Sequence, residues 1–388
     1  MDLIHQSVDF SSTIYRSLTS RRPGDGGLNI GGLVFARDLE RFAQRPITEV
    51  LSDLAERRPP DARNVGGPAI VSLIHTAQLL PHADVAFFGV AGDDGTGDSL
   101  RSILAQTPVR THALRTLPGD TPATYVFSDA GYQDGAGERL FVNQIGVADS
   151  DDAAAVPARF LEADIVQFGG TALVPPLHNR LPQLLERARE HRAFTVVNTV
   201  YDFRAERDAP QRRWTLGGDQ AYRSIDLLLT DLEEARRLTG QSAPLDAIHW
   251  FLARGVRAAV VTCGADPVWY GTSVSGEATV ASLPVYREFV RDRPVAGASG
   301  DTTGCGDNFC GGVVASIAEH IEAGDRQLDL SRIVCRGIAS GALCLSYLGG
   351  TMVEASAGEK RELTERVEHA YLQRYEPEKR VDMPVRHE

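Results

Sequence analysis

Lysine is almost missing from this chain: only Lys360 and Lys379 occur, both toward the C-terminus, so 38 of its 40 basic residues are arginines. Chemistry that turns on a central lysine is disfavoured, whether a phosphate-loop lysine, a protein-kinase strand lysine or a Schiff base. Positive charge is also in deficit, 40 Lys+Arg against 52 Asp+Glu, for a net charge of −12. A continuous basic surface for nucleic acid or anionic lipid is not expected. No apolar run approaches the roughly 18 residues a membrane span needs, and the first twenty residues hold no signal-peptide core. The five cysteines (Cys263, Cys305, Cys310, Cys335, Cys344) are odd in number and form neither a CxxC pair nor a Cys/His cluster. Structural zinc is thereby disfavoured, and a reducing, cytoplasmic compartment is expected. There is no GxGxxG after an early strand, which weakens a nicotinamide-dependent oxidoreductase.

Apolar β-branched runs alternate with helical patterns. Strands are predicted at 85–90, 165–168, 194–197, 225–229 and 258–262, and helices at 70–80, 179–191, 232–239 and 245–254, with Gly240 and Gly255 as stop signals. Such alternation, with strands apolar throughout, predicts a mostly parallel α/β sheet covered on both faces, with ligands beyond the carboxyl ends of its strands. The length of 388 residues suits two or three domains, or one large α/β domain with an inserted lid. Two stretches break the alternation. Residues 121–145 read as a hairpin, and the Gly/Pro/Arg-rich 24–67 holds a short apolar run at 33–35. Either a small sheet or two surface loops would account for them. The tail after Pro377 reads as polar and frayed.

The most informative segment is Gly297-Ala-Ser-Gly-Asp-Thr-Thr-Gly-Cys-Gly-Asp-Asn-Phe-Cys-Gly-Gly312, a glycine-rich loop leading into a helix whose buried face is Phe309, Val313, Ile317 and Ile321. The first turn of a helix offers backbone N–H groups and a partial positive charge, and glycines allow a phosphate to come close. Gly304, Cys305 and Gly306 can therefore form an anion hole without lysine. Asp307 stands at its rim, where a carboxylate can take the proton of an attacking hydroxyl. A plain helix cap is the competing reading of Asp307.

Asp301-Thr-Thr-Gly-Cys-Gly-Asp307 resembles the Asp-Thr-x-Gly-Ala-Gly-Asp signature of the ribokinase-like carbohydrate kinases (PfkB type). Further likenesses follow in order between Asn64 and Ser356: the di-glycine Gly66-Gly67, the turn Gly89-Val-Ala-Gly-Asp-Asp-Gly95, the hairpin at 121–145, Thr230-Asp-Leu-Glu-Glu234 and Val261-Thr-Cys-Gly264. The resemblance implies a kinase domain over 1–376, with lid segments near 24–66 and 110–146 and a tail at 377–388. It implies ATP- and Mg²⁺-dependent phosphorylation of an alcohol on a sugar or nucleoside. It assigns Asp307 as catalytic base and Gly304, Cys305 and Gly306 as the anion hole. Asn198, Asp231, Glu234, Thr262 and Gly264 fall to the nucleotide and its metal, with Glu234 holding Mg²⁺ through water. Asp301 and Thr303 lie where relatives hold a monovalent cation such as K⁺. Gly66, Gly67 and Asn143 fall to the acceptor, and a lid edge that could pair in a homodimer is implied.

The chain departs from the family pattern in four places. Cys305 replaces Ala, which reads as tolerated because only its N–H is needed; a redox-sensitive thiol is the alternative. Asp231 stands where Asn is usual. Pro68-Ala-Ile-Val71 lacks the acceptor Asn expected after the di-glycine, and no N-terminal strand ending in a sugar-binding Asp is recognisable, so Asp25 is the candidate replacement, with a surface turn as its other reading. A sugar kinase is the first functional expectation. A nucleoside kinase and a non-catalytic ligand-binding regulator on the same fold are the alternatives.

Overall fold

In 227–229 and 258–261 every residue is apolar, so strands there must be covered on both faces. The computed structural model describes the chain apart from residues 23, 136, 151–155, 275–276, 293–301, 326, 379 and 385–388. It divides into two compact units, Met1–Gly66 with Val90–Ile103 and Arg115–Asp149, and Gly67–Gly89 with Leu104–Leu114 and Ser150–Glu388.

The smaller unit is built on one five-stranded sheet of β1 (Asp2–His5), β2 (Leu33–Phe35), β3 (Ala62–Asn64), β6 (Ala123–Asp129) and β7 (Glu138–Gln144), in the order β2-β7-β6-β1-β3. The predicted hairpin is its centre, with Thr124 opposite Asn143 and Phe127 opposite Leu140. Side chains of one face, Val34, Phe127, Leu140 and Val142, pack on the helices Ala36–Ala43 and Ile47–Leu54 through Leu39, Val50, Leu51 and Leu54. The 24–67 segment is therefore part of a small sheet and not a pair of loops. The N-terminal residues, not assigned from sequence, supply β1.

β4 (Ala86–Gly92) was expected in the main sheet. It pairs instead with β5 (Arg110–Leu117) in a separate two-stranded sheet. Residues 85–88 and 165–169 line a cavity of about 870 Å³.

The larger unit carries β8 (Ile165–Gly169), β9 (Phe194–Asn198), β10 (Leu227–Asp231), β11 (Ala258–Cys263), β12 (Asp266–Val274) and β13 (Glu277–Leu283), ordered β13-β12-β11-β10-β9-β8. β8 to β11 run parallel, and β12 and β13 are antiparallel additions. Alternate side chains sort into two cores. Val196, Leu227, Leu229 and Val260 pack on the helices Cys305–Glu322, Leu330–Cys344 and Glu359–Leu372. Val197, Leu228, Ala259 and Val261 pack on Leu181–Glu190, Leu232–Thr239 and Pro244–Leu252. Part of the tail is ordered against the larger unit: β15 (Asp382–Pro384) pairs with β14 (Gln327–Asp329), and Val381 and Met383 are buried, because two apolar side chains at a short strand outweigh the polar residues around them.

Candidate active site

The glycine-rich loop ends as the sequence predicts, at the start of the helix Cys305–Glu322. Gly304 is its N-cap with φ +81°, and a Cβ there would lie 2.3 Å from the Gly350 Cα, so both the left-handed backbone and the packing require glycine. The first intrahelical bond is Asn308 N–H to the Gly304 carbonyl at 2.8 Å, which leaves the N–H groups of residues 305–307 ahead of it in the orphan first turn. Cys305 N–H closes a turn on the Thr302 carbonyl at 3.2 Å, which leaves the N–H of Gly306 as the more available donor of the expected anion hole. Among the described residues nothing lies within 4 Å of a Cβ placed on Gly306, which is exposed, and Asp307 is half-buried beside it. Thr303 precedes this turn, its carbonyl accepting from Cys344 Sγ at 3.4 Å; Asp301 lies outside the described residues.

What holds this turn was not read from the sequence. Asn308 is fully buried, and its amide donates to the carbonyls of Gly304 (2.9 Å) and Gly350 (2.8 Å). Its carbonyl oxygen accepts from the Tyr347 hydroxyl at 2.9 Å and from Lys360 Nζ at 3.0 Å. Lys360, dismissed by its position near the C-terminus, is thus a core residue, its ammonium 5.0 Å from the Tyr347 ring centroid. Burial pushes its pKa down to about 8, against a weaker upward pull from Cys344 and Glu354. A lysine on an amphipathic helix ordinarily faces solvent, so no local signal marks this one.

The nucleotide-side candidates gather at the carboxyl ends of the parallel strands. Asn198 ends β9, and Asp231, ending β10, pairs with Thr262 on β11; Gly264 follows in a turn at φ +62° with open space around it. Gln167, a residue the sequence reading missed, ties this edge to the glycine-loop helix: its Nε2 reaches Asn198 Oδ1 at 2.8 Å and Cys310 Sγ at 3.3 Å.

Asp231 and Glu234 form a capping box, with Glu234 N–H bonded to Asp231 Oδ1 at 2.7 Å. That geometry is compatible both with holding a metal and with a plain helix cap. Glu234 is buried, and its carboxylate also accepts from the Thr199 hydroxyl. Burial first, and then the Asp231 charge, raise Glu234 to about 7. Burial raises Asp231 as well, although its side chain still reaches solvent. Among the described residues neither carboxylate forms an ion pair with Arg or Lys. Two crowded acids without a counter-charge are a donor set that suits a hard divalent cation or its waters.

Of the acceptor-side candidates, Gly66, Asn143 and Asp25 belong to the smaller unit and Gly67 to the larger. A Cβ on Gly66 would fall 2.0 Å from Asp2 Oδ1, so the carboxylate of Asp2 lies against the di-glycine. Gly67 follows at φ +113° as N-cap of the helix Pro68–Leu79. Direct cross-strand pairing aligns Asn64, Asp2, Thr124 and Asn143 on the sheet face opposite the small unit's core, with Asn143 Nδ2 donating to Thr124 Oγ1 at 3.0 Å. Asp2 escaped the sequence reading because it begins its strand instead of ending it. Asp25 does not take that place. It accepts backbone N–H bonds from Arg21, Arg22 and Gly27, the last of which contributes most to holding its carboxyl down at about 2; it is a turn residue.

None of Asp307, Asn198, Asp231, Glu234 and Thr262 lines the 870 Å³ cavity, so the convergent polar groups, and not the void, define the candidate site.

A glycine-loop helix N-terminus carrying a carboxylate, with an acid pair at a parallel-sheet edge, is the arrangement expected of a phosphotransferase acting on an alcohol. The model of the pfkB family carbohydrate kinases matches residues 38–355, and the chain belongs to that family. It is 26% identical to a fructokinase of Vibrio alginolyticus over 239 residues, covering 61% of this chain and 72% of that one. It is 23% identical to a 2-dehydro-3-deoxygluconokinase of Escherichia coli over 282 residues, covering 69% and 86%. Among solved structures, a Rhizobium etli protein designated a sugar kinase superposes with TM-score 0.66 at 18% identity, covering 95% of each chain. An adenosine kinase of Sinorhizobium meliloti gives 0.65 at 18%, covering 95% and 96%. An Escherichia coli protein designated ribokinase II, solved with ATP and Mg²⁺, gives 0.60 at 19%, covering 80% and 93%. No helix among the described residues is long and apolar enough to cross a membrane.

Proposed function

We propose that this protein transfers the γ-phosphoryl group of ATP to a hydroxyl of a neutral sugar. The observation that carries the reading is the first turn of the helix Cys305–Glu322, where Asp307 stands beside open space over Gly306. Asp307 takes the proton of the attacking hydroxyl late in the transfer. The helix terminus stabilises charge on the transferred group, through the N–H groups of Gly306 and Asp307 more than that of Cys305. Asn308 fixes the turn from beneath, and Asn198, Thr262 and Gly264 bind the nucleotide. Asp231 and Glu234 would hold Mg²⁺ through its waters; when bound, the ion supplies charge neutralisation at the β- and γ-phosphates. A monovalent cation at Thr303 and Asp301 is part of the same reading, as is a reducing cytoplasm.

The polar row on the small sheet argues for a neutral acceptor. Asp2, Asn64, Thr124 and Asn143 offer one carboxylate, two amides and a hydroxyl, which suits a polyol. The row contains no basic residue, and Asp2 would repel a sugar acid. A nucleoside is the second reading, favoured by half-buried Leu33 and Phe141 one pair further along the same face, where a base could lie. A dimer through the lid would have to use edge strands β2 or β3, each three residues long. ATP consumption with fructose, ribose, 2-dehydro-3-deoxygluconate and adenosine tests the assignment. A neutral sugar should be preferred; preference for the sugar acid would overturn the neutral-sugar assignment, and preference for adenosine would select the second reading.

A further inference from the structure

The residue that departs from the family signature inside the anion hole has a partner. Cys305 opens the helix, half-exposed, and Cys344 ends the helix Leu330–Cys344, which packs against that turn. Two contacts place Cys344 against the backbone that carries Cys305. Cys344 Sγ reaches the Thr303 carbonyl at 3.4 Å, two residues before Cys305. One turn earlier on the same helix, a Cβ on Gly341 would sit 3.1 Å from the Cys305 carbonyl oxygen. Cys310 and Cys335 are buried, and no hydrogen bond joins either to another cysteine among the described residues.

We propose that Cys305 and Cys344 form a reversible disulfide that switches the phosphate-binding turn off. The oxidant is a peroxide. The Cys305 sulfur attacks one peroxide oxygen, the O–O bond breaks, and a sulfenic acid forms as the first water leaves. Cys344 sulfur then attacks the Cys305 sulfur, the S–O bond breaks, and the oxygen departs as a second water carrying the Cys344 proton. Two thiols and one hydrogen peroxide become one disulfide and two waters, and two electrons pass from sulfur to oxygen. A dithiol returns both electrons by exchange. In a reducing compartment such a bond is transient and suited to sensing.

The structure says why turnover would stop. A disulfide holds its sulfurs at about 2.0 Å, well inside the contact distance of two unbonded sulfurs. The turn has little room to follow as a body, because Gly304 already lies against Gly350 and the Cys305 carbonyl against Gly341. Closure must therefore rotate the peptides of 304–306, which would turn the Gly306 N–H away from a bound phosphate.

The effect on activity rests on the kinase reading, whereas the bond itself does not. The full-length protein is treated with hydrogen peroxide, digested without reductant and mapped by mass, and ATP-Mg²⁺ binding is measured in parallel by calorimetry. A linked Cys305–Cys344 peptide is expected, with at least tenfold weaker nucleotide binding and recovery in dithiothreitol. Cys344→Ser, which can keep the bond to the Thr303 carbonyl, should form no link and keep its nucleotide affinity after peroxide; Cys344→Ala is the second variant if serine is poorly tolerated. Cys305 oxidised to sulfinic acid without a link, or equal loss of affinity in both Cys344 variants and the wild type, would overturn the switch. Absence of turnover on every acceptor, with the link and the affinity change intact, would count against the kinase reading alone.

Discussion

Single side chains set the fine geometry of this site, and the least conspicuous are the most informative. Lys360 is buried with its ammonium on Asn308, and burial lowers its pKa from 10.5 to about 8. A lowered amine binds fewer protons folded than unfolded, so its cost is full below pH 8 and is relieved as pH rises toward 10.5. Against Lys360→Met, wild-type stability should therefore improve by up to ~3 kcal/mol between pH 7 and pH 10.5, read from urea midpoints. A pH-independent difference would show that the ammonium is not desolvated. Asp2 is the corresponding residue on the acceptor side. Asp2→Asn should raise the KM for the sugar about tenfold while leaving the KM for ATP within twofold, because one charge-assisted hydrogen bond to the acceptor is weakened. An equal rise in both would remove Asp2 from the acceptor site.

Elements carry the part of the account that was legible beforehand. The helix at 232–239 and the strands at 165–168 and 194–197 were predicted within a residue, because their period and stop glycines are local properties. The start of the catalytic helix was legible for the same reason. The fate of β4 was not, since its apolar run fits a parallel sheet or a two-stranded ribbon equally well and pairing is a long-range choice. Nor were Gln167, Asn308, Tyr347 and Cys344, polar residues whose role comes from neighbours 31 to 143 positions away. At the helix start, Gly304→Ala would place a Cβ 2.3 Å from the Gly350 Cα on a left-handed backbone. It should cost ~2 kcal/mol or more in stability and weaken ATP binding together, read by denaturation and calorimetry. Unchanged stability would mean that the loop relaxes freely and that the glycine is not a packing requirement.

At the scale of the molecule, the proposed reading gives each unit one half of the chemistry: an acid pair and a helix N-terminus on the larger, a polar row on the smaller sheet. The C-terminal strand belongs to the core of the larger unit, where Val381 and Met383 are buried. Deleting residues 377–388 should lower stability by ~3–5 kcal/mol, a size set by two buried apolar side chains, whereas a frayed tail would leave the unfolding midpoint in place. The central claim is that the carboxylate in the first turn of the Cys305–Glu322 helix receives the acceptor's proton. Single-turnover phosphotransfer by Asp307→Asn, measured beside ATP-Mg²⁺ affinity, tests it most directly. Nucleotide affinity within a few-fold of wild type with transfer slowed by ~10²–10⁴ is the predicted result; transfer at the wild-type rate would contradict it.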